Sequence, residues 1–171
     1  MKEDQILFLV DADHQAQNAS VHGPLSVDGR VLVPDDRYVS TTGGPENAVS
    51  VSEAGSGIFR LIDSDGTLPD VFLTGSLTIA NERFMDIVDT MCVGEEIRAV
   101  PMVLVADDGS EVHGYSWLYV TDPRQLPITL PAPDFFVADT FEWFASKRLV
   151  DACHEEGIRG LLFTRIGERL A

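Results

Sequence analysis

The chain has almost no lysine. Lys2 and Lys147 are its only two, and 12 basic residues in all face 28 acidic ones, for a net charge of -16 across 171 residues. A surface so short of cations repels nucleic-acid phosphate and anionic membrane, so neither is expected as a partner. Long apolar runs are missing too. No stretch approaches the roughly 18 residues of a membrane-spanning helix. The opening Met1-Lys2-Glu3-Asp4 is acidic where a secretory leader would be basic, so a cytoplasmic location is expected. Cysteine is scarce: Cys92 and Cys153 stand alone without C-x-x-C spacing. That excludes a disulfide framework and a thiolate metal site, and leaves two small apolar core residues.

What is present is an ordinary apolar fraction, 44%, enough to build one core in a single domain spanning residues 1–171. The negative charge is uneven. Residues 1–70 carry -8, residues 71–135 carry -7 and residues 136–171 only -1. Such a field attracts basic partners.

Ile6 to Val10 is a short apolar run that reads as a strand, ended by Asp11-Ala12-Asp13-His14. From His14 to Gly57 the chain turns polar and is punctuated by His22-Gly23-Pro24, Asp28-Gly29 and Gly43-Gly44-Pro45. This portion, residues 1–57, is expected to be loop-rich, with short strands at Arg30–Val33 and Val49–Val51. Gly57 to Ile62 reads as a strand closed by the turn Asp63-Ser64-Asp65-Gly66.

Residues 58–171 are more regular. Asn81 caps a helix from Glu82 to about Cys92, with Phe84, Ile87, Val88 and Met91 at helical spacing. Ile97–Val105 and Val112–Thr121 flank Asp107-Asp108-Gly109-Ser110, the pattern of a β-hairpin. The second strand alternates Tyr115, Trp117 and Tyr119 on one face. A proline-rich connection, Pro123 to Pro133, leads to a strand at Phe135–Val137. Ser146 caps a helix through about Glu156, Gly157 stops it, and Ile158–Ile166 forms a last strand. The fold class expected is α+β, with a mainly antiparallel sheet and at least two helices packed on it. Ala80–Asp89 and Ala145–His154 share Ala, Arg and Asp at matching offsets. Two similarly capped amphipathic helices, or two related strand-helix-strand units, account for the echo.

Asp11 and Asp13 are the first candidates for chemistry. Phosphotransferases of the haloacid dehalogenase type carry D-x-D after an apolar strand, with a nucleophile, an acid/base, a restraining lysine and further acids for magnesium. Here Gln15 replaces the usual Thr or Val, and no Gly-Asp-x-x-Asp segment follows a later strand. His14, His22, His113 and His154 lack metal-binding spacing, and Cys153-His154 would diverge by about 100° on a helix. No nucleophile, base and orienter assemble. The expectation is therefore a binding protein without catalytic residues, metal or cofactor. A metal-dependent hydrolase or phosphatase using Asp11 and Asp13, or a non-catalytic adaptor, are the alternatives.

The segments "PDVFLTGSLTIANERFMDIVDT", "IRAVPMVLV" and "FFVADTFEWFASKRLVDACHEEGIRGLLFTRI" resemble the bacterial polymorphic-toxin immunity proteins, in particular the family numbered eleven. The resemblance covers residues 58–166 and rests on Asn81 to Phe84 and on Glu156 to Phe163. It implies an antidote that binds a cognate toxin domain stoichiometrically, with no catalytic residues to transfer. A toxin with a basic active-site cleft would suit the charge. The acids expected to face it are Asp35, Asp36, Asp107, Asp108 and Glu111.

Overall fold

The computed structural model describes residues 6–13, 19–55, 58–63, 67–74, 77–92, 97–121, 123–125, 132–138 and 142–166. From the N-terminus these run through β1 (Leu7–Ala12), β2 (Ala19–His22), β3 (Ser26–Val27), β4 (Arg30–Val33), α1 (Asp36–Thr41), β5 (Ala48–Ser50), α2 (Val51–Ala54) and β6 (Phe59–Asp63). They continue through β7 (Val71–Thr74), β8 (Leu77–Asn81), α3 (Glu82–Met91), β9 (Ile97–Ala106), β10 (Glu111–Val120), β11 (Phe135–Val137), β12 (Trp143–Ser146), α4 (Lys147–Glu155) and β13 (Leu161–Arg165). The protein is α+β, and its strands pair mainly antiparallel.

A six-stranded sheet, ordered β2-β6-β9-β10-β8-β7, forms the middle layer. Side chains alternate across it with the two-residue period of a strand. Val71, Ala80 and Leu118 face one core with Phe84 of α3 and Leu149 of α4, whereas Phe72, Ile79 and Trp117 face another with Leu32, Val49 and Phe59. The first core is closed by a four-stranded sheet, β11-β12-β1-β13, and the second by a small sheet, β3-β4-β5. Among the described residues β4–β5 and β6–β9 are the strand pairs that run parallel, and an isolated parallel bridge joins Arg124 and Ala138. At His113-Gly114 the β9–β10 register slips, and Gly114, with φ +84°, supplies the left-handed residue of the bulge.

The stretch expected to be loop-rich contains β2, β3, β4, β5, α1 and α2, where two short strands were anticipated. These elements are two to six residues long, too short for hydrophobic periodicity to register. Residues 14–18 and the turn residues 64–66 lie outside the described residues. Strands on both sides of residue 57 are knitted together: β2 pairs with β6, and β1 with β12 and β13. β7, β8 and β12 were not read from the sequence, and the last strand is shorter than its apolar run suggests.

The echo between the two helices extends further than the helices. Pro69-Asp70-Val71-Phe72-Leu73 opens one unit and Pro133-Asp134-Phe135-Phe136-Val137 the other. In each, an antiparallel strand pair runs directly into a helix: β7–β8 into α3, and β11–β12 into α4. The last strand residue is also the helix N-cap. Asn81 Oδ1 accepts the Phe84 amide (3.2 Å) while its Nδ2 donates to Asp70 Oδ1 (2.7 Å). Ser146 Oγ accepts the Leu149 amide (3.2 Å) and donates to Asp134 Oδ1 (2.5 Å). The arginine two residues past each cap returns to the same aspartate, Arg83 to Asp70 at 3.1 Å and Arg148 to Asp134 at 3.4 Å.

The two units also clasp one another. Arg83 Nη2 donates to the Glu156 carbonyl at the end of α4, so α3 begins where α4 finishes. At the other end, Cys92 follows α3 and lies beside Asp134 and Phe135, and burial with the Asp134 charge pushes its thiol up to about 12. Burial and Cys92 push the Cys153 thiol up to about 12 as well. Beyond Gly157 (φ +64°), the Arg159 amide donates to Asp70 Oδ2 (2.8 Å), and its carbonyl accepts the Asp70 amide (3.0 Å). Gly160 then passes so close to β7 that a Cβ would come within 2.2 Å of the Val71 carbonyl oxygen.

Asp70→Ala is expected to cost about 3–5 kcal/mol in urea denaturation, because it strands the donors around a buried carboxylate. Asp134→Ala should cost about 1–2 kcal/mol, since its side chain is 20% exposed against 7% for Asp70. Equal costs would show that the two clamps are not graded by burial. A pH effect follows from Tyr115, whose hydroxyl donates to the Pro69 carbonyl (2.7 Å). Burial, aided by the Asp70 charge, raises its phenol from near 10 to about 12. Between those values the unfolded phenol ionises and the folded one does not, so stability is intact below pH 10 and falls as pH rises to 12. Denaturant titrations across that range should show the decline, and Tyr115→Phe should make it shallower.

Candidate functional site

β10 outruns its neighbour. β8 pairs with Tyr115 to Leu118, so Tyr119 and Val120 extend past Thr78 with no β8 partner. The space left at that end is a cleft of about 550 Å3, of a size typical for ligand sites. Its floor and walls come from four segments. Trp117 and Tyr119 come from β10, Val10 and Asp11 from the end of β1, and Glu142 and Trp143 from the start of β12. Pro34 and Tyr38, before and within α1, complete the far wall.

Each aromatic wall residue is held by a specific partner. Trp143 stacks on Phe135 with centroids 4.4 Å apart, and its indole N–H donates to Thr78 Oγ1 (2.8 Å). Trp117 meets Phe59 edge-on at 6.2 Å. Tyr38 and Tyr119 form a T-shaped pair at 5.4 Å. The Tyr38 hydroxyl donates to the Val120 carbonyl (2.9 Å), and the Tyr119 hydroxyl donates to Asp35 Oδ2. Burial, then the Asp35 carboxylate, raises both phenols above their ordinary value, so both stay protonated donors. Arg98, across the ladder from Tyr119, pulls that phenol the other way.

Acids form the rim. Asp11 and Glu142 follow the Val10–Trp143 pair at which the ladder ends; both line the cleft and both are exposed. Asp13 lies past the end of β1 and outside the cleft wall; its amide donates to the Gly160 carbonyl (3.1 Å). His14 is outside the described residues. Among the described residues, no three His, Cys, Asp or Glu side chains converge as metal ligands would.

The five acids expected to face a partner do not share one surface. Asp107, Asp108 and Glu111 cluster at the tip of the β9–β10 hairpin. Asp107 pairs with Arg60 (3.9 Å), and Glu111 lies 3.2 Å from His113 Nε2. Asp108 accepts the Ser110 hydroxyl (2.6 Å) and amide (2.9 Å), bonds that hold its carboxyl below the usual range. Asp35 and Asp36 stand at the other end of β10, about 25 Å away along the strand. Asp35 serves the fold: it is the N-cap of α1, accepting the Arg37 and Tyr38 amides (3.0 and 3.4 Å) as well as the Tyr119 hydroxyl. Asp36 is exposed in the first helical turn. Sequence reasoning picked out the aromatic strand and Asp11 but missed Tyr38, Glu142 and Trp143. They become neighbours of β10 only through pairings that local patterns do not encode.

Compared with protein-family models and with curated proteins, the chain finds no match.

Asp35→Ala should cost about 2–4 kcal/mol, from a lost helix cap and an unsatisfied Tyr119 hydroxyl. Asp36→Ala should stay within about 1 kcal/mol. Thermal or urea denaturation of the two single variants separates them, and adding Tyr119→Phe to Asp35→Ala should recover part of the loss.

Proposed function

We propose that this protein is an antidote: a cytoplasmic immunity protein that binds and neutralises a basic toxin domain by stoichiometric association. The observation that carries the proposal is the charge, -16 in all, with exposed carboxylates at both the hairpin tip and the cleft rim. Potentials of this size steer basic partners into encounter and accelerate capture. The resemblance of residues 58–166 to immunity family eleven supports the same reading. So does the rigidity of the aromatic cleft, since preorganised surfaces lose less entropy on binding. Inhibition requires no catalytic group from this chain, only coverage of the toxin's working surface.

A gene for a large secreted protein with a toxic C-terminal domain is expected directly beside this one. Calorimetry with that purified toxic domain should give one-to-one binding that weakens steeply with salt. Reversing Asp107, Asp108 and Glu111 to lysine should weaken it at least tenfold and flatten the salt dependence. No binding by the toxic domain would sink the antidote reading. Unchanged affinity in the reversed protein would remove the hairpin tip from the interface.

A further inference from the structure

We propose that the outer edge of β13 pairs with β13 of a second copy of this chain, joining two four-stranded sheets into one. β13 is the last strand in the order β11-β12-β1-β13, so one of its sides has no described strand beside it. Its register against β1 says which backbone groups that side presents. The Asp13 amide donates to the Gly160 carbonyl (3.1 Å) and the Ile166 amide to the Leu7 carbonyl (3.0 Å), so the even-numbered residues of β13 are the ones that bond to β1. Hydrogen-bonded pairs alternate in an antiparallel ladder, and the N–H and C=O groups of Leu161, Phe163 and Arg165 therefore point away from β1. Among the described residues these groups have no hydrogen-bond partner. Just before them the edge is closed at Arg159, whose carbonyl accepts the Asp70 and Val71 amides.

A second copy is the strand that matches this edge. A two-fold axis beside Phe163 sets Phe163 opposite its own copy and Leu161 opposite Arg165, so every outward group meets its complement. Arg165 then faces leucine, and no like charges meet. Two chains of net charge -16 repel, yet from Gly157 to Ile166 the sequence has two arginines and no acid. Copies that pair here bring no carboxylate of the strand together. For the same reason the edge holds no attraction for a basic partner. Leu162 is 52% exposed, and the pairing places Thr164 of the other copy against it. Sheet edges that stay single are blunted by proline, lysine or a bulge. The part of β9 that β6 does not reach carries the exposed Pro101, whereas β13 has none of these devices.

Sedimentation equilibrium of the full-length protein should show monomer near about 1 μM and dimer near about 500 μM, as suits a small interface. Added salt should strengthen the dimer, because it screens the repulsion between two acidic chains. Amide exchange followed by NMR should protect Leu162 and Thr164 at both concentrations, and Leu161, Phe163 and Arg165 only in the dimer. Arg165→Pro removes an outward N–H and no bond to β1. It should weaken the dimer at least tenfold while Leu162 and Thr164 stay protected, and Arg165→Ala, which keeps the amide, should dimerise about as well as wild type. Protein that stays monomeric, a dimer in which the Phe163 amide exchanges freely, or a full-strength dimer of Arg165→Pro would overturn the proposal. Protection of the Phe163 amide by the toxic domain, in protein that stays monomeric, would also overturn it and assign the edge to a strand of that domain. The antidote reading is untouched by the other outcomes, since its own test is binding of the toxic domain.

Discussion

Asp70 puts one buried carboxylate where three parts of the chain meet. Its oxygens take the Asn81 side-chain amide, the Arg83 guanidinium and the Arg159 backbone amide. Through Asn81 it fixes the start of α3. Through Arg83, which also reaches the Glu156 carbonyl, it fixes the end of α4. Through Arg159 it brings the chain back against β7 at the point where Gly160 must pass without a side chain. A buried charge is tolerable only when its surroundings supply donors. Asp70 therefore selects an arrangement in which all three donors arrive together, and the first core, with Phe84, Leu149 and Cys153, packs inside it.

The second clamp, at Asp134, repeats the device with different atoms. Asparagine caps α3 and serine caps α4, yet each side chain accepts an amide three residues on and donates to an aspartate before its own strand pair. What is shared is the pattern of donors and acceptors. This explains why the sequence echo is patchy while the geometry is close. The repeat also accounts for the pairing of α3 with α4, because each helix ends beside the other unit's aspartate.

Much of the fold was legible where the signals were local. The Asn81 and Ser146 caps, the Gly157 stop, the Asp107–Ser110 turn and the exact span of β4 could all be read from neighbouring residues, because each is decided within four or five positions. The α+β class followed from them. Elements decided by distant partners were not legible. β7 and β8 are short and carry Thr74 and Thr78 among their apolar residues; β12 depends on β1 for its register. The cleft inherits that difficulty. Tyr115, Trp117 and Tyr119 announce an aromatic face in sequence, but nothing near Glu142 or Trp143 says that they will line a cleft with Asp11. Asp35 was chosen as a surface acid for its charge. The phenol that claims it comes from residue 119, 84 positions away.

The position of β1 has a consequence in time. It is the first described strand, yet it lies between β12 and β13, which are among the last. During synthesis at about 5–20 residues per second, its hydrogen-bonding edges wait roughly 10–30 s for their partners to leave the ribosome. Over that interval Leu7 and Val10 have no sheet to enter, and the four-stranded layer can close only once β12 and β13 have been made. Blocking the N-terminal strand, even after every other residue has been made, would leave the final sheet split in two.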